Sequence, residues 1–180
     1  LLQVAPLDIF QDTIPGFHDL SFRAQQFEEA VESATPDKLK DAEKAILFAK
    51  MTLDGKLIYT IGHPQTCGAY LPEQAFRPTD IAIAPNGDLY VTDGYGSDFI
   101  LHYNKQGQYI NHWGGHDNID KNYNLHNTHG IEIDKRDANN LSIIVSSRFE
   151  QCLKAFSLAG KYLYTINTNG AYIGGPVFKG

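Results

Sequence analysis

The sequence predicts an all-β fold of the β-propeller type, interrupted by one short helical insertion. Two observations support this prediction. Short segments of alternating apolar and polar residues are separated by polar, glycine-containing turns, which is typical of antiparallel strands. The same order of segments then recurs, with Ile81 and Ile131 in equivalent positions 50 residues apart. This spacing matches the repeat length of about 40 to 50 residues that propeller blades have.

The clearest repeat covers residues 76–126. Its alternating segments predict four strands, at residues 80–84, 89–93, 99–103 and 108–114. The first two strands are joined by a turn that contains Asn86-Gly87, a dipeptide that favours a hairpin. Four antiparallel strands joined by short turns make one propeller blade.

A second repeat covers residues 127–170. Its predicted strands lie at residues 129–134, 141–145, 153–157 and 161–166. We interpret residues 46–75 as a partial blade and residues 171–180 as the start of another, so that residues 1–180 belong to one propeller domain. Propellers close with about four to eight blades, and six blades of this length need more than 180 residues. We therefore expect the chain to be part of a longer propeller.

Residues 22–45 break the β pattern. They are rich in Ala, Glu, Gln and Lys, and Pro36 suits the first turn of a helix. The segment predicts two short helices inserted between blade strands. Two interpretations remain open, because such an insertion either walls a central site or decorates the surface.

Composition excludes some classes of function. The 180 residues contain 15 Lys and Arg against 21 Asp and Glu, for a net charge of -6, and the basic residues are scattered. A nucleic-acid surface is therefore disfavoured. No apolar run reaches the roughly 18 residues that a membrane span needs. Cys67 and Cys152 could form one disulfide or none, and neither lies in a metal-binding spacing; of these, we expect two free thiols.

Two histidines stand where propeller blades converge. His18 and His129 each lie at the entry to a predicted strand, directly after a loop, and the first strands of propeller blades line the central axis. Imidazoles from separate blades can together hold Zn²⁺, which prefers nitrogen ligands at about 2.0 Å. The alternative is that each histidine only caps its strand through a hydrogen bond.

The resemblance to a known family becomes specific at three motifs. The run Pro78-Thr79-Asp80-Ile81-Ala82-Ile83-Ala84, then Asp93-Gly94-Tyr95, then His129-Gly130 resembles the NHL-repeat six-bladed β-propeller family. Within it, the run resembles the peptidyl-α-hydroxyglycine α-amidating lyase domain. That resemblance implies cleavage of a peptidyl-α-hydroxyglycine to a peptide amide and glyoxylate. It also implies zinc held by histidines, a structural Ca²⁺, and a secreted or periplasmic location.

The same resemblance implies roles for individual residues. Tyr95 matches the catalytic tyrosine, as a general base or hydroxyl-binding group, and His129 matches a zinc ligand. His18 matches a zinc ligand of an earlier blade through Phe17-His18-Asp19-Leu20. Arg148 matches an arginine that binds a substrate carboxylate.

Simpler roles for three of these polar residues stay open. Tyr95 lies between glycines, where a tyrosine is often a packing lid. Arg148 has Asp93 and Glu150 as alternative partners for an ion pair, and Asp93 itself is more typical of a turn cap than of a metal ligand.

Three functions are consistent with the sequence, and whether the protein is an enzyme stays open. The first is a zinc-dependent lyase or hydrolase that acts on a small polar or peptide-like substrate at the axial face. The second is a non-catalytic scaffold that binds a protein or glycan. The third is a calcium-dependent, lactonase-like hydrolase that uses Asp19, Asp80 and Asp93. The remaining histidines, at 63, 102, 112, 116 and 126, show no shared placement.

Overall fold

The computed structural model describes residues 48–61, 64, 68–171 and 173–176. The chain divides into two compact units, residues 1–66 and 67–180. The described residues contain ten β-strands and no α-helix, so the predicted all-β class is confirmed for them. The same residues include no helix that is long and apolar enough to cross a membrane. The predicted helical insertion, residues 22–45, lies outside the described residues.

The described part of the first unit is a β-hairpin. Strands β1 (Phe48–Met51) and β2 (Leu57–Ile61) pair antiparallel. The hydroxyl of Thr52 accepts a hydrogen bond of 2.9 Å from the Lys56 amide and so closes the connecting turn. The hairpin lies within the segment that the sequence predicts as a partial blade.

The described part of the second unit contains two four-stranded antiparallel sheets in simple up-and-down order. The first sheet consists of β3 (Asp80–Ile83), β4 (Leu89–Thr92), β5 (Phe99–Tyr103) and β6 (Tyr109–Gly114). The second consists of β7 (Thr128–Asp134), β8 (Ser142–Ser147), β9 (Cys152–Ser157) and β10 (Tyr162–Asn167). Every strand that the sequence predicts in this unit is present, with its ends shifted by at most two residues.

Among the described residues, one turn geometry occurs four times, and it explains why the strand pattern repeats. In each turn a three-residue loop ends in a glycine with a φ of 79° to 90°. The glycine amide donates a hydrogen bond to the carbonyl of the residue before the loop. The amide of that same residue donates to the carbonyl of the residue after the glycine, and this second bond closes the hairpin. This is the type I turn with a glycine bulge, which joins twisted strands without splaying them. The four turns lie at residues 52–56, 84–88, 104–108 and 157–161.

The two sheets pack through their first strands and share one core. β3 lies against β7, and the Asp80 carboxylate accepts a 3.0 Å hydrogen bond from the Ile131 amide. The Tyr90 hydroxyl donates to the Leu158 carbonyl at 3.0 Å. Apolar side chains from both sheets form a single buried cluster. Neighbouring four-stranded sheets with adjacent first strands are the arrangement of propeller blades.

The cysteine prediction is confirmed for one of its two residues. Cys152 is a buried free thiol in β9, and burial raises its pKa. Cys67 lies outside the described residues.

Candidate functional site

The Asp93-Gly94-Tyr95 loop is held by the side chain that begins it. The buried Asp93 carboxylate accepts hydrogen bonds from the Tyr70 hydroxyl at 2.6 Å, from the Ser97 amide at 2.7 Å and from the Arg77 amide. Its backbone carbonyl accepts from the amides of Gly96 and Asp98. Of its two predicted roles, Asp93 has that of a turn cap. Burial raises the pKa of Asp93 to about 7, although the bonds from Tyr70, Ser97 and Arg77 oppose this shift.

Gly94 places this loop directly on the next sheet. A Cβ atom at Gly94 would overlap the backbone of Thr128, so only glycine allows this close approach. The Asn127 side-chain amide donates to the Gly94 carbonyl at 3.3 Å. The Asp98 carboxylate, at the other end of the loop, accepts from the Thr128 amide at 2.8 Å. The loop is thereby fixed against the start of β7.

Tyr95 and His129 meet at this junction. The Tyr95 hydroxyl lies 2.9 Å from His129 Nε2, within hydrogen-bond distance. The two rings are 5.6 Å apart and nearly perpendicular, at 82°. Tyr95 is 55% exposed and His129 is half-buried, so solvent and solutes reach the pair. Two residues selected separately from the sequence therefore form one polar contact.

Arg148 lies at the same end of the second sheet. It follows β8, and its amide donates to the Asn127 carbonyl at 3.3 Å, two residues before His129. Its Nε atom is buried and has no hydrogen-bond partner among the described residues. The two carboxylates suggested as its ionic partners are bonded elsewhere. Asp93 caps the loop, and Glu150 accepts from Ser147, Asn124 and Lys154.

Some of the predicted metal ligands lie outside the described residues. His18 and Asp19 are not among them. The Asp80 carboxylate is bonded to the amides of Ile81 and Ile131, so its oxygens already have backbone partners. In the part of the chain that the structure describes, no group of three or more His, Cys, Asp or Glu side chains is arranged to hold a metal ion.

Sequence reasoning missed a second pair of histidines. His116 and His126 face the same surface cleft, which has a volume of about 300 Å³. Tyr95 and Phe149 also line this cleft, and Phe149 is 56% exposed. The pair is invisible in the sequence pattern because it forms only when the connection between β6 and β7 folds back on itself. The two consecutive glycines Gly114 and Gly115 were the one available signal for such a turn.

Comparisons with known proteins show sequence similarity to a curated protein and structural similarity to solved structures. The chain is 38% identical over 61 residues to peptidyl-alpha-hydroxyglycine alpha-amidating lyase 1 of Drosophila melanogaster. The match covers 34% of this chain and 11% of the fly protein. A crystal structure of a protein of unknown function from Bacteroides caccae aligns over 69% of this chain and 42% of its own, with 16% identity and a TM-score of 0.40. No protein-family model matches the chain.

Proposed function

We propose that this chain contributes to a zinc-dependent lyase that acts on a peptide-like α-hydroxy substrate at the Tyr95–His129 pair. The observation that carries the proposal is the 2.9 Å contact between the Tyr95 hydroxyl and His129 Nε2. Similarity to the fly amidating lyase supports the same reaction class. The six-bladed ring and the complete site remain predictions that follow from the family resemblance.

Tyr95 would transfer the proton of the substrate hydroxyl. In the proposed reaction the substrate hydroxyl loses its proton, the carbon–nitrogen bond breaks, and the carbon–oxygen bond becomes the carbonyl of glyoxylate. The proton is returned to the departing amide nitrogen, so the reaction needs no oxidant. The hydroxyl of Tyr95 is positioned by the half-buried imidazole and is accessible from solvent. A tyrosine so placed can take and return one proton.

His129 would supply one metal ligand through Nδ1, because Nε2 contacts the Tyr95 hydroxyl. It is a nitrogen donor, the chemistry that zinc prefers, and it lies in β7 in contact with Tyr95, which lines the cleft. The other ligands would come from outside the described residues, with His18 as the sequence candidate. When bound, zinc polarises a substrate oxygen as a Lewis acid.

Arg148 would anchor the substrate carboxylate. Its buried Nε atom has no partner within the described residues, and a buried donor without an acceptor costs about 1 to 3 kcal/mol. A carboxylate can satisfy two guanidinium donors at once. Binding of the substrate carboxylate would therefore give the Arg148 Nε donor an acceptor.

A non-catalytic binding scaffold is the second candidate function. The aromatic rings of Tyr95 and Phe149 are 55% and 56% exposed beside the same cleft. Exposed aromatic side chains at one rim are typical of surfaces that bind another molecule.

A glyoxylate-release assay on the full-length protein distinguishes the two functions. Glyoxylate formation from a peptidyl-α-hydroxyglycine is measured for the wild type and for Tyr95→Phe. Tyr109→Phe is the matched control, because Tyr109 also contacts a histidine, His112, at 2.6 Å but away from the cleft. We expect Tyr95→Phe to lose about 10²- to 10⁴-fold in rate and the control to keep its rate. A wild type without activity would favour the scaffold.

A further inference from the structure

The surface cleft beside the candidate site is lined by four rings. Tyr95, which carries the hydroxyl that would transfer the proton, forms part of its wall together with His116, His126 and Phe149. All four side chains are exposed, Tyr95 by 55% and Phe149 by 56%. A group that enters the cleft therefore meets aromatic and imidazole surface next to the proposed reaction centre.

The rings of the cleft are held in place by contacts within the protein. The Phe149 ring packs edge-on against His126, with the ring centroids 4.9 Å apart, and the Phe149 amide donates to the His126 carbonyl at 3.2 Å. His116 Nδ1 lies 3.2 Å from Asp98 Oδ2, and the Asp98 side chain is only 6% exposed. Because these rings are already ordered, little conformational freedom is lost when a ligand binds between them.

The charges at the cleft do not match a charged occupant. Among the described residues that line it, Asp98 is the only carboxylate, and none is Lys or Arg. One oxygen of Asp98 accepts from the Thr128 amide at 2.8 Å, and the other contacts His116. This buried carboxylate already has partners, so it does not offer a free acceptor to a cationic side chain.

The size of the cleft fits a single side chain. Its volume is about 300 Å³, the lower end of the range of about 300 to 1,000 Å³ for small-molecule pockets. Aromatic rings prefer to pack edge-to-face or offset, with centroids about 4.5 to 7 Å apart. The contact between His126 and Phe149 already has this geometry, and a further ring in the cleft would extend it. Volume and lining together favour one aromatic side chain.

The cleft is also in the right place for the peptide part of the proposed substrate. Tyr95 both lines the cleft and contacts His129. Phe149 directly follows Arg148, the proposed anchor of the substrate carboxylate. In a peptidyl-α-hydroxyglycine, the Cα atom of the preceding residue lies about 3.8 Å from the reacting carbon. The side chain of that residue is therefore the variable group nearest to the cleft when the substrate hydroxyl lies at Tyr95.

We propose that this cleft is the specificity pocket for the residue that precedes the hydroxyglycine, and that it selects an aromatic side chain. Phe149 and His126 are the specificity-determining residues, and Asp98 positions His116. This inference rests on the proposed function, because the substrate defines which residue enters the cleft.

The test measures glyoxylate release by the full-length protein from four peptides that differ only in the residue before the hydroxyglycine, which is phenylalanine, alanine, lysine or glutamate. The readout is the ratio of kcat/KM for the phenylalanine and alanine peptides, because a general loss of activity cancels in this ratio. We expect a ratio of at least about 10 for the wild type and below about 3 for Phe149→Ala and His126→Ala. Tyr164→Ala is the matched control, since Tyr164 is an aromatic residue of β10, 41% exposed, that does not line the cleft. The control should keep the wild-type ratio.

Three results would overturn the proposal: a wild-type ratio near 1, a lysine or glutamate peptide that reacts faster than the phenylalanine peptide, or an unchanged ratio in both cleft variants. If the wild type releases glyoxylate from none of the peptides, the proposed function fails, and the pocket is tested by binding alone. N-acetyl-phenylalanyl-glycine and N-acetyl-alanyl-glycine are then compared by NMR of the His116 and His126 rings. Larger shifts of these ring signals with the phenylalanine compound would support the pocket. Equal or absent shifts would overturn it.

Discussion

Replacing Asp93 with asparagine tests how the loop that carries Tyr95 is held. The Asp93 carboxylate accepts from the amides of Arg77 and Ser97, one on each oxygen, and from the Tyr70 hydroxyl. Asparagine keeps the shape but has a single acceptor oxygen. One of the two amides must then face an NH₂ group and lose its partner. A buried donor without an acceptor costs about 1 to 3 kcal/mol, so near pH 4, where burial keeps Asp93 uncharged in the folded protein, we expect the free energy of unfolding to fall by about 2 kcal/mol.

The assay combines urea unfolding of the full-length protein near pH 4 with hydrogen exchange at pH 8. In Asp93→Asn the amides of residues 77 and 97 should exchange faster, because their acceptor is removed. Asp117→Asn is the matched control, since Asp117 is exposed and its φ of 61° also suits asparagine. If Asp93→Asn keeps both its stability and its slow exchange, Asp93 does not hold the loop.

Three further predictions concern stability. The folded-state pKa of Asp93 is about 7 against an ordinary 3.8, so stability falls as the pH rises between these values, by at most about 1.4 kcal/mol per unit. Urea unfolding at a series of pH values measures this slope, which Asp93→Asn should remove. Lys154 is 4% exposed and donates to two backbone carbonyls. Lys154→Met should cost about 2 to 4 kcal/mol by urea unfolding, and an unchanged midpoint would contradict its role. Gly94→Ala should destabilise the protein in a thermal melt because the new Cβ overlaps Thr128, whereas Gly174→Ala, with open space around it, should not.

The fold could be predicted because the residues that determine each strand and turn lie close together in the sequence. The four recurring hairpin turns each carry a glycine at a positive φ, as at Gly87 and Gly107, and each strand alternates between two faces. A strand pattern and a turn residue can therefore be recognised without knowing what packs nearby. Ile81 and Ile131 both lie in the first strand of their sheets, β3 and β7.

The candidate site was only partly predictable because its contacts join residues distant in sequence. The resemblance selected Tyr95 and His129 singly, but their contact depends on the close approach of Gly94 to Thr128. The role of Asp93 as a cap was one of two open interpretations. The cleft pair of His116 and His126 was missed, since it results from a turn whose course the strand pattern does not determine.

The most direct test of the proposed function is glyoxylate release by the full-length protein after His129→Ala, with His112→Ala as the control. His112 also contacts a tyrosine hydroxyl, at 2.6 Å, and is half-buried like His129. We predict that the wild type and His112→Ala release glyoxylate at similar rates and that His129→Ala loses at least about 10²-fold. A His129→Ala protein that keeps the wild-type rate would contradict the assignment of the reaction to the Tyr95–His129 pair.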